Sequence, residues 1–316
     1  MPDKIVFTAE ETSGLLGFPE RYLPSLHARQ VAERLPPDRQ GARSLDFREG
    51  AVKIGRMKGK RIQNIPVWLH VPLAFWHWFE TAVLTVTCCL IGWVVFPLSL
   101  VLDRGNGRLM HAIAVLWSRL LLLINPFWRV KVSGLENIEK GRHYVVIANH
   151  QSILDILVML SGLPLHFKFL SKKEVFQIPF IGWHMKLTGY IPLDRGNHES
   201  GRSAIAIARA WLNRKVNVVF FPEGTRSLDG HIRTFKPGAF KLAQEQKIAI
   251  LPVVIEGTGD ALPKKSWILK QRRDFILSIG KPVILGAQES VPQLIERVRQ
   301  EMIQRLQQIR TGTVPS

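Results

Sequence analysis

Tyr144-Val145-Val146-Ile147-Ala148-Asn149-His150-Gln151-Ser152-Ile153-Leu154-Asp155 runs from an unbroken apolar stretch, through a polar loop, into the start of a helical pattern. Five apolar residues bounded in this way read as a strand buried on both faces, the kind found in parallel sheets. Open α/β sheets bind their ligands beyond the carboxyl ends of their strands, so the loop is a candidate site. It holds His150 and, after four intervening residues, Asp155. A carboxylate in the first turn of the helix can accept from one imidazole nitrogen, fix the tautomer and leave the other nitrogen as a base. Ser152 to Asp155 reads equally as a helix capping box, and the two roles are compatible.

Further apolar runs follow the same pattern. Arg129–Val132, Val216–Phe221, Ile250–Ile255 and Phe275–Ile279 are predicted strands. Between them, Ile205, Ile207, Ala208, Trp211 and Leu212 form the apolar face of a helix over about Ser200–Asn213. Strands alternating with helices predict an α/β domain whose central, largely parallel sheet is flanked by helices. The expected domain spans 129–285. Leu294, Ile295, Val298, Met302, Ile303 and Leu306 then recur at helical spacing, so 286–316 is expected to form a C-terminal helix packed on it.

Residues 66–128 differ in character. Trp68, Phe75, Trp76, Trp78 and Phe79 crowd the first part, as at a membrane interface. Thr81–Leu102 carries no charge and as a helix would reach about 33 Å, enough to cross a bilayer core. Leu109–Trp128 is apolar apart from Arg119. The pair predicts a membrane-associated helical hairpin, either two spans or a hairpin sunk into one leaflet, and a mid-bilayer charge at Arg119 favours the second. The stretch lies too far along the sequence for a cleaved signal peptide. Residues 1–65 read as a basic arm, with Lys53, Arg56, Lys58, Lys60 and Arg61 near its end, which places it on the cytoplasmic side. Cys88 and Cys89, the only cysteines, are adjacent within the apolar run and give no metal-ligand spacing or disulfide framework. No metal is expected.

The 316 residues carry a net charge of +18. Such an excess points to a polyanionic partner: nucleic acid, an anionic membrane surface or an acidic carrier protein. The apolar hairpin favours the membrane surface, and no nucleic acid is expected. Cations also gather around loops that follow apolar runs. Phe221-Pro222-Glu223-Gly224-Thr225-Arg226-Ser227 offers a close backbone approach at Gly224 and a bidentate anion contact at Arg226. It could equally be an ordinary turn with a surface arginine. Ile191-Pro192-Leu193-Asp194-Arg195, Ser171-Lys172-Lys173-Glu174 and Phe235-Lys236-Pro237-Gly238 add more, each alone most simply a solvated charge.

In this order the blocks resemble the glycerolipid acyltransferases, most closely the bacterial 1-acylglycerol-3-phosphate (lysophosphatidic acid) acyltransferases. Asn149-His150 through Asp155 is similar to that family's HxxxxD block. Gly189–Arg195, Phe221–Ser227 and Leu251-Pro252-Val253-Val254 resemble its second to fourth blocks. The likeness is strong over 129–285 and does not reach 1–65. It implies His150 as general base oriented by Asp155. It also implies that Arg195, Arg226 and Lys172 or Lys173 surround a substrate phosphate, with Gly224, Thr225 and Lys236 beside it. Glu223 would position the glycerol, and Pro252 would shape the acceptor pocket. The implied reaction moves an acyl group from acyl-CoA or acyl carrier protein, used as cosubstrate without a bound cofactor, to the sn-2 hydroxyl of a membrane lipid acceptor. The implied location is the cytoplasmic face of a bacterial inner membrane. No G-x-S-x-G elbow is present, and both cysteines lie in the apolar run, so no acyl-enzyme is needed. Two other readings stand beside this one: an acyltransferase for another lysolipid or glycerol-3-phosphate, and a non-catalytic basic protein binding membrane surfaces or nucleic acid.

Overall fold

The computed structural model describes residues 67–312, apart from 104, 126, 265, 269–272, 285, 287 and 288. The basic arm expected over 1–65 lies outside the described residues.

Seven strands form one sheet in the order β1-β7-β6-β2-β5-β3-β4. They are β1 (Trp128–Ser133), β2 (Val145–Ala148), β3 (Phe167–Lys172), β4 (Ile191–Leu193), β5 (Asn217–Phe220), β6 (Ile250–Glu256) and β7 (Arg273–Ile279). All pairings are parallel except β6 with β7. The expected α/β fold is the one observed. Strand β2 shows why its sequence is apolar throughout: successive side chains alternate between faces, and both faces are covered. Val146 and Ala148 enter one core and Val145 and Ile147 the other, all fully buried. Each such side chain contributes about 1.5–3 kcal/mol on leaving water.

The first core lies under α2 (Arg108–Ile124) and α3 (Asp155–Gly162); α4 (Ile181–Thr188) adds Met185. The second lies under α5 (His198–Asn213), α6 (Gly238–Gln246) and α8 (Val291–Thr311). The short α7 (Thr258–Ala261) follows β6. Among the described residues, only the short α7 lies between β6 and β7, and the chain returns antiparallel. Since β1 runs parallel to β7, the Trp128 end of β1 lies at the same end of the sheet as the β2 carboxyl terminus.

Two strands escaped the sequence reading. β3, Phe167-Lys168-Phe169-Leu170-Ser171-Lys172, looks half-solvated, yet Lys168 is wholly buried. Its ammonium donates to the Thr188 carbonyl and lies 4.6 Å from the centre of the Trp211 ring. Burial pushes its pKa down to about 7. β4 has only three residues, one of them Pro192. The polar turn before α2 rests on Lys168. Gly107 has φ +71, and a Cβ there would lie 2.8 Å from Lys168 Nζ and 2.9 Å from the Thr188 oxygen, so only glycine fits.

The hairpin departs from expectation in one respect. α1 (Val67–Leu102) is a single helix of 36 residues, running through the aromatic segment, Pro72 and Pro97. Glu80 does not interrupt it, because its carboxylate is buried 2.9 Å from His77 Nδ1. Among the described residues, α1 is the one helix long and apolar enough to cross a membrane. The second stretch is not a span. α2 has 17 residues, and Met110, His111, Ile113, Ala114, Ser118 and Leu121 are buried. Ser118 Oγ donates to the Leu157 carbonyl of α3 at 2.7 Å, and Arg119 is exposed. This apolar run was therefore built for a protein core rather than for lipid. α1 packs along α2 and touches the domain from Phe75, which meets Trp267 at 5.4 Å, to Trp93, which meets Trp183 at 5.4 Å. Cys88 and Cys89 are buried on its inner side. Its outer side exposes Trp68, Phe75, Trp76, Phe79, Val94 and Val101.

Candidate active site

His150 lies just past β2, with its ring 4.4 Å from that of Phe221. Its Nδ1 donates to Asp155 Oδ2 at 2.7 Å. Asp155 is completely buried, and its carboxylate is the hub of the loop. Oδ2 also accepts from the backbone N–H of Gln151 (2.7 Å) and Ser152 (3.0 Å), and Oδ1 accepts from the Thr258 hydroxyl. These bonds balance the desolvation of a buried charge. Half of the capping box exists: Asp155 holds the Ser152 N–H, whereas the Ser152 hydroxyl donates to the Leu262 carbonyl at 2.8 Å. Capping and orientation of the imidazole are thus duties of one carboxylate. Nε2 makes no hydrogen bond among the described residues.

Asn149 fixes the loop from below. Its amide donates to the Ile255 carbonyl (2.9 Å) and accepts from the Ile255 N–H (2.7 Å). Glu223 fixes it from the side. This buried carboxylate accepts from the backbone N–H of His150 (3.0 Å) and of Arg233 (3.2 Å). Burial raises the Glu223 pKa, and the two N–H donors oppose that shift. Both oxygens are engaged with backbone, so in this structure Glu223 braces the two loops. The Ser227 N–H closes the junction on the His150 carbonyl at 2.8 Å.

The predicted cations divide into two groups. Gly224 has φ +73, and the Lys236 ammonium would lie 3.0 Å from a Cβ placed there, so the side chain folds over the loop. Arg195, at the end of β4, is close enough to feel Arg226. Crowding by surrounding protein and then the like charge of Arg226 push the Arg195 pKa down, with Glu174 opposing. Neither guanidinium has an ion-pair partner among the described residues. Lys172 and Lys173 are engaged elsewhere: Lys172 pairs with Glu174 at 3.1 Å, and Lys173 bonds Asp194. Pro252 lies within the sheet opposite Ile147, its ring packed toward Gly280. It sits below the His150 loop rather than beside it.

Two participants were not anticipated. Thr258 reaches the Asp155 carboxylate from the start of α7, and Lys264 Nζ donates to Thr225 Oγ1 at 3.2 Å. Both lie outside the recognised blocks, and nothing in their local sequence signals the contact.

Fold and site together define an acyltransferase-type α/β domain. An independent family model, Acyltransferase, matches residues 129–256. A chloroplastic 1-acyl-sn-glycerol-3-phosphate acyltransferase of Arabidopsis thaliana is 38% identical over 188 residues, 59% of this chain and 52% of that protein. The alpha enzyme of the same name from Ovis aries is 32% identical over 227 residues, 70% of this chain and 78% of that one. The crystal structure of the 1-acyl-sn-glycerophosphate acyltransferase from Thermotoga maritima superposes with a TM-score of 0.55 at 27% identity, covering 74% of this chain and 98% of that chain. The chain belongs to the 1-acyl-sn-glycerol-3-phosphate acyltransferase family. It spans about half the length of the chloroplast relatives it matches.

Proposed function

We propose that this protein transfers an acyl group from an acyl thioester to the sn-2 hydroxyl of 1-acylglycerol-3-phosphate, giving phosphatidic acid. The observation that carries this reading is the 2.7 Å bond from His150 Nδ1 to the wholly buried Asp155. That bond fixes the imidazole tautomer with Nε2 unprotonated. Nε2 then takes the proton of the acceptor hydroxyl as its oxygen attacks the thioester carbonyl. The tetrahedral intermediate collapses, the C–S bond breaks, and the thiolate leaves on coenzyme A or acyl carrier protein. Asp155 stabilises the imidazolium formed on the way.

Arg195 and Arg226, mutually repelling and without ion-pair partners among the described residues, suit the phosphate of the acceptor. A charge-assisted hydrogen bond contributes about 1.5–3 kcal/mol. Arg226→Ala and Arg195→Ala are each expected to raise KM for 1-acylglycerol-3-phosphate by roughly tenfold or more, while leaving the KM for a phosphate-free monoacylglycerol unchanged. Equal effects on both acceptors would contradict the phosphate role.

The exposed face of α1 supports a membrane location, with the helix lying along the domain and its outer side immersed in one leaflet. Contacts from Phe75 to Trp93 tie it to the domain over most of a bilayer's thickness, which a helix standing free across lipid would not make. Val94→Glu with Val101→Glu, both at exposed positions, should reduce flotation with anionic vesicles and leave the fold intact. Unchanged flotation would sink this placement.

A further inference from the structure

We infer that the C-terminal helix α8 belongs to the acceptor-binding machinery: Arg299 and Arg310 are positioning residues that set the shape of the loop carrying Arg226. The inference rests on the function proposed above and extends it to residues beyond 256, where the family match ends.

The loop needs such support. Phe221 to Pro237 joins β5 to α6 with no helix or strand of its own. Loops longer than about 12–15 residues are uncommon in compact domains and tend to carry function. This one holds Glu223, Gly224, Thr225, Arg226 and Lys236. Its near half is tied to the site, through the Ser227 N–H on the His150 carbonyl and Glu223 on the His150 N–H. Its far half is tied to α8. Arg299 Nε donates to the Arg233 carbonyl at 3.0 Å, and its Nη2 to the Ile232 carbonyl at 3.3 Å. Arg310 Nη2 donates to the Gly230 carbonyl at 2.9 Å. Gly230 has φ +72, and a Cβ there would lie 2.8 Å from Arg310 Nη2, so glycine opens the approach. Ile232 and Phe235 are buried in the core that α8 covers.

The two arginines lie eleven positions apart, close to three turns of α8, so one face presents both. A guanidinium is a planar fork of donors. Arg310 spends the rest of its fork on Glu256, from Nε to Oε1 at 3.2 Å and from Nη2 to Oε2 at 3.0 Å. Glu256 ends β6, and its Oε2 also accepts from Gln151 Nε2 at 3.0 Å. Arg310 therefore holds the Arg226 loop directly and the residue after His150 through one carboxylate. In this way α8 fixes the two loops against each other. A loop shaped before the acceptor arrives spares binding the cost of ordering it.

The test uses the full chain with Arg299→Lys and Arg310→Lys, singly and combined, because lysine keeps each charge and loses the fork. Steady-state kinetics in mixed micelles and backbone hydrogen exchange are measured on the same preparations. The combined variant should raise KM for 1-acylglycerol-3-phosphate by about tenfold, with the KM for the acyl donor unchanged. Exchange over 228–236 should quicken by about tenfold, while exchange over 145–148 keeps its wild-type rate. In an Arg226→Ala background the same pair should change the acceptor KM by less than about twofold, because the group being positioned is gone. Arginines that only brace the helix would quicken exchange and lower the thermal midpoint with KM unchanged, and that pattern overturns the inference. A full tenfold rise in the Arg226→Ala background overturns it too, as does wild-type exchange over 228–236. If the wild-type chain fails to acylate 1-acylglycerol-3-phosphate, the proposed function falls and this inference with it. If the chain does acylate this acceptor and KM is indifferent to both arginines, only the present inference falls.

Discussion

His150→Ala is expected to lose turnover by about 10²–10⁴-fold, the usual contribution of a positioned general base, while remaining folded. The fold should survive because the other partners of Asp155 do not depend on the imidazole. The N–H groups of Gln151 and Ser152 and the Thr258 hydroxyl still saturate that carboxylate. The backbone N–H of residue 150 still reaches Glu223. Removing the ring leaves a small gap against Phe221 rather than an unpaired buried charge. The comparison to make is kcat with saturating acceptor alongside the thermal midpoint. Near-normal kcat would remove His150 from the chemistry, and a collapsed midpoint would mean that its role is structural.

Asp155→Asn should be nearly as damaging to rate and milder to the fold than Asp155→Ala. An amide oxygen can take the place of Oδ2 and keep the Gln151 and Ser152 bonds, with the amide nitrogen turned to the Thr258 hydroxyl, which can accept. What disappears is the negative charge beside the imidazole. The imidazolium formed during transfer then loses its stabilising partner, and kcat should fall by about 10²–10⁴-fold. Asp155→Ala also removes the acceptor of four buried donors, His150 Nδ1, the N–H groups of Gln151 and Ser152 and the Thr258 hydroxyl, at about 1–3 kcal/mol for each left unpaired, and should lower the melting temperature clearly. Equal activity of Asp155→Asn and wild type would mean that the carboxylate only caps the helix.

Much of this was legible in the sequence because the relevant physics is local. The Tyr144–Ala148 run is apolar because alternate residues feed two cores, and His150 and Asp155 are close in sequence, so one loop can join them. The second apolar stretch misled because a helix facing a protein core needs the same residues as a helix facing lipid. Only its packing on α3, through the Ser118–Leu157 bond, separates the two. β3 was missed because Lys168 looks solvated, although the carbonyl of Thr188 and the ring of Trp211 accommodate it. Contacts across the fold left no local trace. The grip of Asn149 on Ile255, of Thr258 on Asp155 and of Lys264 on Thr225 spans about 40 to 106 positions. The family resemblance implies Lys172 or Lys173 beside the phosphate, and in this structure the two lysines pair with Glu174 and Asp194.

The most direct measurement offers the purified protein a set of acceptors, with acyl-CoA and with acyl carrier protein as donors, and identifies the products by mass spectrometry. The acceptors are 1-acylglycerol-3-phosphate, glycerol-3-phosphate, a lysophospholipid with a blocked phosphate and a monoacylglycerol. The expected result is phosphatidic acid from 1-acylglycerol-3-phosphate as the dominant product, stoichiometric release of the free thiol, and no acyl adduct on the protein mass. Preferred acylation of a phosphate-free acceptor, absence of turnover with both donors, or a stable acyl-enzyme would contradict the account.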